Sequence, residues 1–397
     1  MKKLVLKLIK KYNFLSSILF NYDMYKYLNH QNWIFKLFKI RTFELNFLDS
    51  KEDNEDVSLV EDIKKEYLKD IDEYDIFEAS DLWKDDVTAF SKKQISDYFK
   101  NENPKFLSNK LNGIFRTKFV YGLSSGDAYK FCKSYLSKKI WSLKYLDLII
   151  SLNEYYATLR HESPAQGKQG VYLNSNLEEM IINIEKNFKA NISFPNIGSP
   201  YGIKIENKLL TFENLEHIYA AEKISKYIDL FSEKNENLNI LEIGSGYGGL
   251  ARNIFLKMPN KINSYTLVDL PLMLAYQKYF LKKSFHNSEL LKKFKFKNPK
   301  KFIYDKNQYD VLINQNSFAE MNKEIVSNYL ENFNEKTKNG LILSFNHEAI
   351  SKYKNNLQVA LPDLTKNNDK LKLLLRSLSW MRKGYVEEVY LTNNKKL

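Results

Sequence analysis

A single cysteine, Cys132, stands among 397 residues. No intrachain disulfide can form, which fits a reducing, cytoplasmic setting. No stretch reaches the roughly 18 uncharged apolar residues that spanning a bilayer requires. Met1 to Phe20 is basic and apolar, but Lys7, Lys10 and Lys11 interrupt the apolar run. No small-residue cleavage site follows it, so a secretory signal is not expected. No His/Cys grouping has zinc spacing, and no metal site is expected from the sequence. A magnesium site built from scattered carboxylates would leave no spacing to read. Internal repeats are absent. Glycine is scarce as well, with 13 in the whole chain.

What the chain has in quantity is apolar, aromatic and basic side chains. Hydrophobic residues make up 44% and aromatic residues 14%, ample for a packed core, and the length suits two domains or one with a large elaboration. The net charge of +13 invites a polyanion as partner. That charge is uneven. Residues 1–50 carry nine Lys/Arg against Asp23, Glu44 and Asp49, whereas residues 51–86 carry fifteen Asp/Glu against five Lys. The simplest reading of both stretches is solvated surface. Val5, Leu8, Ile9 and Tyr12 share one helical face and Lys3, Lys7, Lys10 and Lys11 another, so residues 1–20 suit either a docked helix or weak peripheral contact with an anionic membrane.

Residues 1–50 read as helical and aromatic-rich, and residues 51–58 as a charged link. Helical spacing resumes from Val57 to about Phe99, with Ile63, Tyr67, Leu68, Ile71 and Tyr74 on one face, and Asn103-Pro104 breaks it. Residues 127–160 read as two more helices. The polar run Arg160 to Gly170 lacks the spacing of a phosphate loop and reads as a surface loop or a substrate lid. A turn at Ile197–Gly202 precedes a hairpin-like stretch, and Asn214 to Leu230 reads as a helix. Strands follow at Asn239–Ile243, Tyr265–Asp269, Lys301–Tyr304, Asp310–Asn314 and Leu341–Phe345, with helices between them. Leu371–Leu378 reads as helical, and Trp380 to Thr392 as strands around Lys383-Gly384. Strands alternating with helices predict an α/β, doubly wound sheet in residues 191–397, with a mainly helical extension over residues 1–190.

Four of the scarce glycines crowd into one place, Gly244, Gly246, Gly248 and Gly249, after the apolar strand Asn239–Ile243 and before a helix-forming run. Glycine allows a sharp turn and close approach of a ligand to the main chain, and the amides then face that ligand at a helix N-terminus. Gly244-x-Gly246-x-x-Gly249 also matches the dinucleotide fingerprint, so the glycines alone leave two ligands open. Glu242, two positions before the loop, can face a cationic ligand end. Asp269, closing the next strand, can take two ribose hydroxyls.

An acid-x-Gly-x-Gly loop followed by an acid at the second strand end resembles the class I S-adenosylmethionine (SAM) methyltransferases. The resemblance narrows over Leu241 to Gly249, Val268-Asp269-Leu270-Pro271, and Asp310 to Met321 with its Ser-Phe-Ala-Glu-Met segment. It extends to Leu215–Ala221 and Gly384–Leu391. Together these look like the bacterial sugar O-methyltransferases of lipopolysaccharide, capsule and related surface glycans. The likeness is good over roughly residues 190–397 and loose over 1–150. It implies a Rossmann-like fold, SAM as cofactor, and a sugar acceptor carried as a nucleotide-sugar or a lipid-linked glycan. The implied cofactor-binding set is Glu242, Gly244, Ser245, Gly246, Gly248, Asp269, Leu270, Asn314 and Gln315.

A sulfonium methyl is already activated, so the protein mainly aligns the acceptor oxygen in line with it. A sugar hydroxyl is a weak nucleophile near neutral pH, and a general base helps. The strand ends offer Glu320, His347 and Glu348. His347 is favoured as base because imidazole titrates near neutrality, with Glu320 as its partner or the sugar's. Two other readings compete. A nucleic-acid methyltransferase would suit the charge, yet the position after the fourth strand reads Asn314-Gln315-Asn316-Ser317 rather than Asn/Asp-Pro-Pro-aromatic, and no basic, aromatic-interleaved face stands out, so no nucleic-acid partner is expected. A non-catalytic scaffold with a degenerate SAM pocket fits poorly with intact Glu242, Gly244, Gly246 and Asp269.

Overall fold

The protein is described by a computed structural model covering residues 21–22, 25–50, 54–73, 89–120, 123, 134–285, 287–348, 352–353, 356–366 and 368–392. Among the described residues twelve strands form three sheets: β1 (Leu45–Phe47), β2 (Tyr201–Ile205), β3 (Lys208–Leu210), β4 (Leu238–Ile243), β5 (Ile262–Val268), β6 (Phe294–Lys297), β7 (Val311–Gln315), β8 (Leu341–His347), β9 (Lys352–Tyr353), β10 (Asn356–Leu357), β11 (Leu371–Leu378) and β12 (Tyr385–Thr392). The main helices are α1 (Asn54–Glu73), α2 (Ala89–Asn101), α3 (Pro104–Asn112), α4 (Tyr135–Tyr155), α5 (Leu177–Phe188), α6 (Phe212–Phe231), α7 (Gly249–Lys257), α8 (Pro271–Ser284) and α9 (Lys323–Glu335).

Seven strands make the central sheet in the order β11-β12-β8-β7-β4-β5-β6. β6, β5, β4, β7 and β8 run parallel, while β12 pairs antiparallel with β8 and β11 antiparallel with β12. The interior strands are near-continuous apolar runs because helices cover both faces. Leu238, Ile240, Leu241 and Ile243 of β4 are all buried, and full burial of such a side chain is worth about 1.5–3 kcal/mol. The chain order reverses direction between β4 and β7, which creates a crevice at their carboxyl ends. This is the expected α/β, Rossmann-like doubly wound architecture with a helix-rich N-terminal region.

That N-terminal region is built around α4. Ser134 caps it by accepting a hydrogen bond from the Ser137 amide. Nearly every side chain from Ile140 to Glu154 is buried, as expected of a helix enclosed on all sides. Its buried charged groups Lys144 and Asp147 are matched: Lys144 Nζ donates to the Tyr27 carbonyl at 2.7 Å, and Asp147 accepts from the amides of Asn29 and His30 at 2.9 Å. Where two helices were expected in 127–160, the described part holds this one. Residues 31–39 form a 3₁₀ helix, and β1 adds a strand to the β2–β3 hairpin, so the first fifty residues are not uniformly helical. The amphipathic face of residues 1–20 lies outside the described residues. Among the described residues no helix is long and apolar enough to cross a membrane.

Three further differences have physical causes. Residues 299–303 form a short helix rather than a strand, because Asn298 caps it through the Lys301 amide and Pro299 sits at its first position. The third strand is Phe294–Lys297 instead. Leu371–Leu378 is an edge strand, held by its ladder to β12 and by the pairing of Arg376 with Glu388. Tertiary pairing outweighs helix-compatible spacing there. The acidic stretch is not merely solvated: Lys283 Nζ reaches Asp56 Oδ2 at 2.6 Å, Lys278 reaches Glu66 at 2.6 Å, and Lys301 reaches Asp70 at 2.5 Å. The uneven charge of the sequence thus serves to dock α1 onto α8 and its neighbours.

Candidate active site

The loop after β4 turns through three left-handed glycines, with φ of 71° at Gly244, 57° at Gly246 and 89° at Gly248. Any other residue would be strained there. At Gly244 a Cβ would also lie 2.2 Å from Ser317 Oγ. The turn closes with the Gly248 amide donating to the Ser245 carbonyl at 2.9 Å, and α7 begins at Gly249. Ser245 Oγ is buried without a hydrogen-bond partner. The Gly244 amide donates to the Val268 carbonyl at 2.9 Å, so the orphaned Ser245 hydroxyl, at a glycine turn before a helix N-terminus, is the group left to meet a polar ligand.

Asp269 follows β5 and is half-buried. Its Oδ1 accepts from the Leu270 amide and its Oδ2 from Gln277 Nε2, both at 2.8 Å. The same Gln277 nitrogen donates to the Gly246 carbonyl at 2.9 Å, joining the carboxylate to the glycine loop. Burial pushes the Asp269 carboxyl up to about 7, against the opposing pull of the Leu270 amide, Gln277 and the loop amides. Leu270, half-buried, precedes the first turn of α8. Glu242 is 2% exposed and accepts the Tyr265 hydroxyl at 2.6 Å. Burial raises it to about 8, opposed by that hydrogen bond and reinforced by repulsion from Asp269. Two carboxylates held at raised pKa near one loop favour a cationic ligand that would restore their charge.

Asn314, expected to line the cofactor site, is fully buried and serves the scaffold. Its amide nitrogen donates to the Ile243 carbonyl at 2.8 Å and to Ser317 Oγ at 2.5 Å, while its Oδ1 accepts from the Phe318 amide and Asn346. It thereby fixes the end of β7 against the glycine loop. Gln315 and Asn316 instead open onto a small, partly open cleft with Phe345, α6 residues Glu216 and Tyr219, and Met381, Arg382 and Tyr385 around the β11–β12 turn. Asn316 adopts a left-handed φ of 61°, bringing the chain round to the one-turn helix Phe318–Glu320.

His347 ends β8 opposite Tyr385 of β12, and the two rings meet edge to face with centroids 5.4 Å apart. Burial and then the Arg382 charge lower the imidazole below its usual range, so it is neutral at neutral pH. Burial raises the Tyr385 phenol to about 12, opposed by Arg382, with Glu216 and Glu320 among the charges that add to the rise. Glu348 pairs with Arg376 at 2.5 Å on the other side and is removed from the candidate base set. Arg382 sits 4.0 Å over the Tyr385 ring and 3.5 Å from Glu216. Tyr219 donates to buried Glu387 at 2.5 Å while lining the cleft. His217, its imidazole pushed down to about 3 by burial and Arg382, packs against loop residue Tyr247 with ring centroids 5.8 Å apart. The 160–170 segment is a closed loop: Glu162 accepts from the Val171 amide at 2.6 Å, the Gly170 amide at 2.5 Å and Trp33 Nε1 at 3.2 Å.

Sequence reasoning did not find Arg382, Tyr385, Gln277 or Tyr265. Gln277 had a legible signal, since it lies eight residues after Asp269 on the helix that Asp269 introduces and so returns to the same face. Arg382 and Tyr385 flank Gly384 in a turn whose position depends on β12 inserting beside β8, which local spacing does not report.

No protein-family model matches the chain. A 50-residue stretch, 13% of this chain and 1% of the other, is 38% identical to a polyketide synthase–nonribosomal peptide synthetase of Aspergillus flavipes. Among solved structures the chain is similar to a mitomycin 7-O-methyltransferase, at 12% identity and a TM-score of 0.34 over 46% of this chain and 57% of that one. It is similar to a magnesium protoporphyrin IX methyltransferase from Synechocystis, at 11% identity and a TM-score of 0.35 over 46% of this chain and 82% of that one. The structure of a putative sarcosine dimethylglycine methyltransferase from Galdieria sulphuraria shares 12% identity and a TM-score of 0.36, over 44% of this chain and 85% of that one. The chain therefore spans a small part of the curated relative and little more than half of the first of these structures. The seven-stranded order, the parallel core and the antiparallel β12 establish the Rossmann-like α/β fold from the topology itself.

Proposed function

We propose that the protein is a SAM-dependent methyltransferase that methylates a hydroxyl of a sugar, presented as a nucleotide-sugar or a lipid-linked glycan in bacterial surface-polysaccharide synthesis. The observation that carries the cofactor assignment is the pairing of the left-handed glycine loop with Asp269, tied together through Gln277. SAM would lie along the loop of Gly244, Ser245, Gly246 and Gly248, with Asp269 toward its ribose and Glu242 toward its cationic end. It supplies a methyl group already activated on a sulfonium. The protein's share is alignment and proton transfer.

The cleft beyond β7 and β8 receives the acceptor, with Gln315 and Asn316 on its floor. Its polar lining of Glu216 and Arg382 offers hydrogen bonds to hydroxyls. His347, neutral and beside Tyr385, takes the hydroxyl proton, with Glu320 nearby to hold the imidazole or the sugar. The N-terminal region backs the cleft: Asn29 donates to the Trp380 and Met381 carbonyls, and Trp380 Nε1 donates to the Ser151 carbonyl of α4 at 2.9 Å. Residues 1–190 therefore act as the acceptor-side support. Incubating the full chain with methyl-labelled SAM and a panel of nucleotide-sugars and lipid-linked glycans tests this reading. Label in a glycan product supports it. Transfer confined to nucleic acid or to non-sugar small molecules would overturn the sugar assignment.

A further inference from the structure

Away from the cleft, His30, Glu154 and His161 bring one ligand atom each to within 4.8 Å of one another. His30 Nε2 lies 3.0 Å from Glu154 Oε2, and His161 Nδ1 lies 3.1 Å from the same oxygen. Ligands bound to zinc at about 2.0–2.2 Å stand roughly 3–3.5 Å apart, and both histidine nitrogens lie at that spacing from the Glu154 oxygen. The far side of the His30 ring is also arranged. Nδ1 is 2.8 Å from Asp147 Oδ1, and that buried carboxylate further accepts the Asn29 and His30 amides at 2.9 Å. The ring lies flat on Trp33, with centroids 4.0 Å apart and planes 4° apart. A carboxylate behind a histidine fixes its tautomer, presents Nε2 as the donor atom and makes the ring more basic, as in carboxylate–histidine–zinc arrangements.

The charges facing the cluster are those of Asp147 and Glu154, with Lys144 Nζ 3.7 Å from Asp147 as a cation of the protein's own. His161 is the exposed member, with a side chain 59% accessible, and gives an entry path and room for a water ligand.

We propose that His30 Nε2, Glu154 and His161 Nδ1 form a binding site for a zinc-like divalent transition-metal ion, with Asp147 orienting His30. Two imidazoles and a carboxylate select this class over magnesium or calcium, which prefer all-oxygen sets. Binding displaces the proton between His30 and Glu154 to solvent. Its place in the fold gives the ion a structural task. It ties the Asn29–His30 segment, the end of α4 and the loop after it into one unit. That unit also holds the cleft wall: the His161 ring is 5.5 Å from Trp380, and Asn29 donates to the carbonyls of Trp380 and Met381. The site is independent of the methyltransferase reading.

The test uses the full chain carrying Cys132→Ser, so that no thiol competes, stripped of metal and titrated with Zn²⁺ by calorimetry and with Co²⁺ by visible absorption. The expected result is saturable binding of one ion per chain and a melting temperature that rises with Zn²⁺. His161→Ala, at an exposed position, should leave the melting of the metal-free protein nearly unchanged and weaken Zn²⁺ by about tenfold or more, as should Glu154→Gln. A background His347→Ala variant should bind as the parent does. Absence of one-to-one binding, or equal affinity in the parent, His161→Ala and Glu154→Gln proteins, would overturn the assignment.

Discussion

Gln277 Nε2 donates to Asp269 Oδ2 at 2.8 Å. Because the same nitrogen reaches the Gly246 carbonyl, α8 holds the carboxylate and the glycine loop in one frame. Gln277→Ala should let the carboxylate turn without removing it. Loss of one hydrogen bond to a charged group is worth about 1.5–3 kcal/mol. SAM affinity should therefore fall by about tenfold or more, measured by calorimetric titration, while the melting temperature changes little. Unaltered affinity would show that Asp269 needs no such support.

The raised carboxyl of Glu242 makes stability pH-dependent in a defined direction. Its folded value of about 8 exceeds the ordinary 4.5, so the folded protein binds more protons than the unfolded chain between them. Stability from this group is fully present below about pH 4.5 and is lost as pH rises through 8. Asp269, raised to about 7, acts in the same sense. Thermal melts of the ligand-free protein across this range should show the wild type losing stability relative to Glu242→Gln as pH increases. Parallel curves for the two proteins would contradict the burial argument.

His347 gives the kinetic prediction. General-base catalysis typically contributes about 10²–10⁴-fold in rate. His347→Ala should lower kcat by that order and leave SAM affinity intact. Since burial and Arg382 lower the imidazole pKa, the wild-type rate should fall on the acid side only below 6.5. A variant keeping more than about a tenth of wild-type turnover would shift the role to Glu320 or to alignment alone.

Much of this was legible along the chain, and the part that was not has a common cause. The glycine loop, Asp269 and strands β4, β5, β7 and β8 show in local spacing because each strand and the loop after it are contiguous, whereas the strand expected for β6 falls on the short helix that follows it. The antiparallel β11–β12 pair was half-hidden: Leu371–Leu378 has no strict alternation, and only its ladder to Tyr385–Thr392 makes it a strand. Asn314 read as a ligand contact because it ends a strand beside the loop, and only the surrounding partners show that its amide is already engaged. The His30–Glu154 contact spans 124 positions and has no motif at all.

Glu387 tests the packing account. It is fully buried on β12 and accepts the hydroxyls of Tyr219 at 2.5 Å and Tyr227 at 2.9 Å, with Lys223 at 3.3 Å. These contacts lock α6 onto the antiparallel strand that carries the cleft wall. Glu387→Ala strands the lysine and both hydroxyls, and breaking such a buried pair costs about 3–5 kcal/mol. Denaturant unfolding should show a loss of that size. A change below about 1 kcal/mol would mean that water replaces the carboxylate without penalty.

The central claim is that the left-handed glycine loop and Asp269 bind SAM. Calorimetric titration of the full chain with SAM, beside Asp269→Ala, tests it most directly. Removing a charge-assisted contact to two hydroxyls is worth on the order of 2–3 kcal/mol. The account predicts one SAM per chain, with affinity in Asp269→Ala weaker by tens-fold. No binding to the folded wild type, or equal affinity in both proteins, would contradict it.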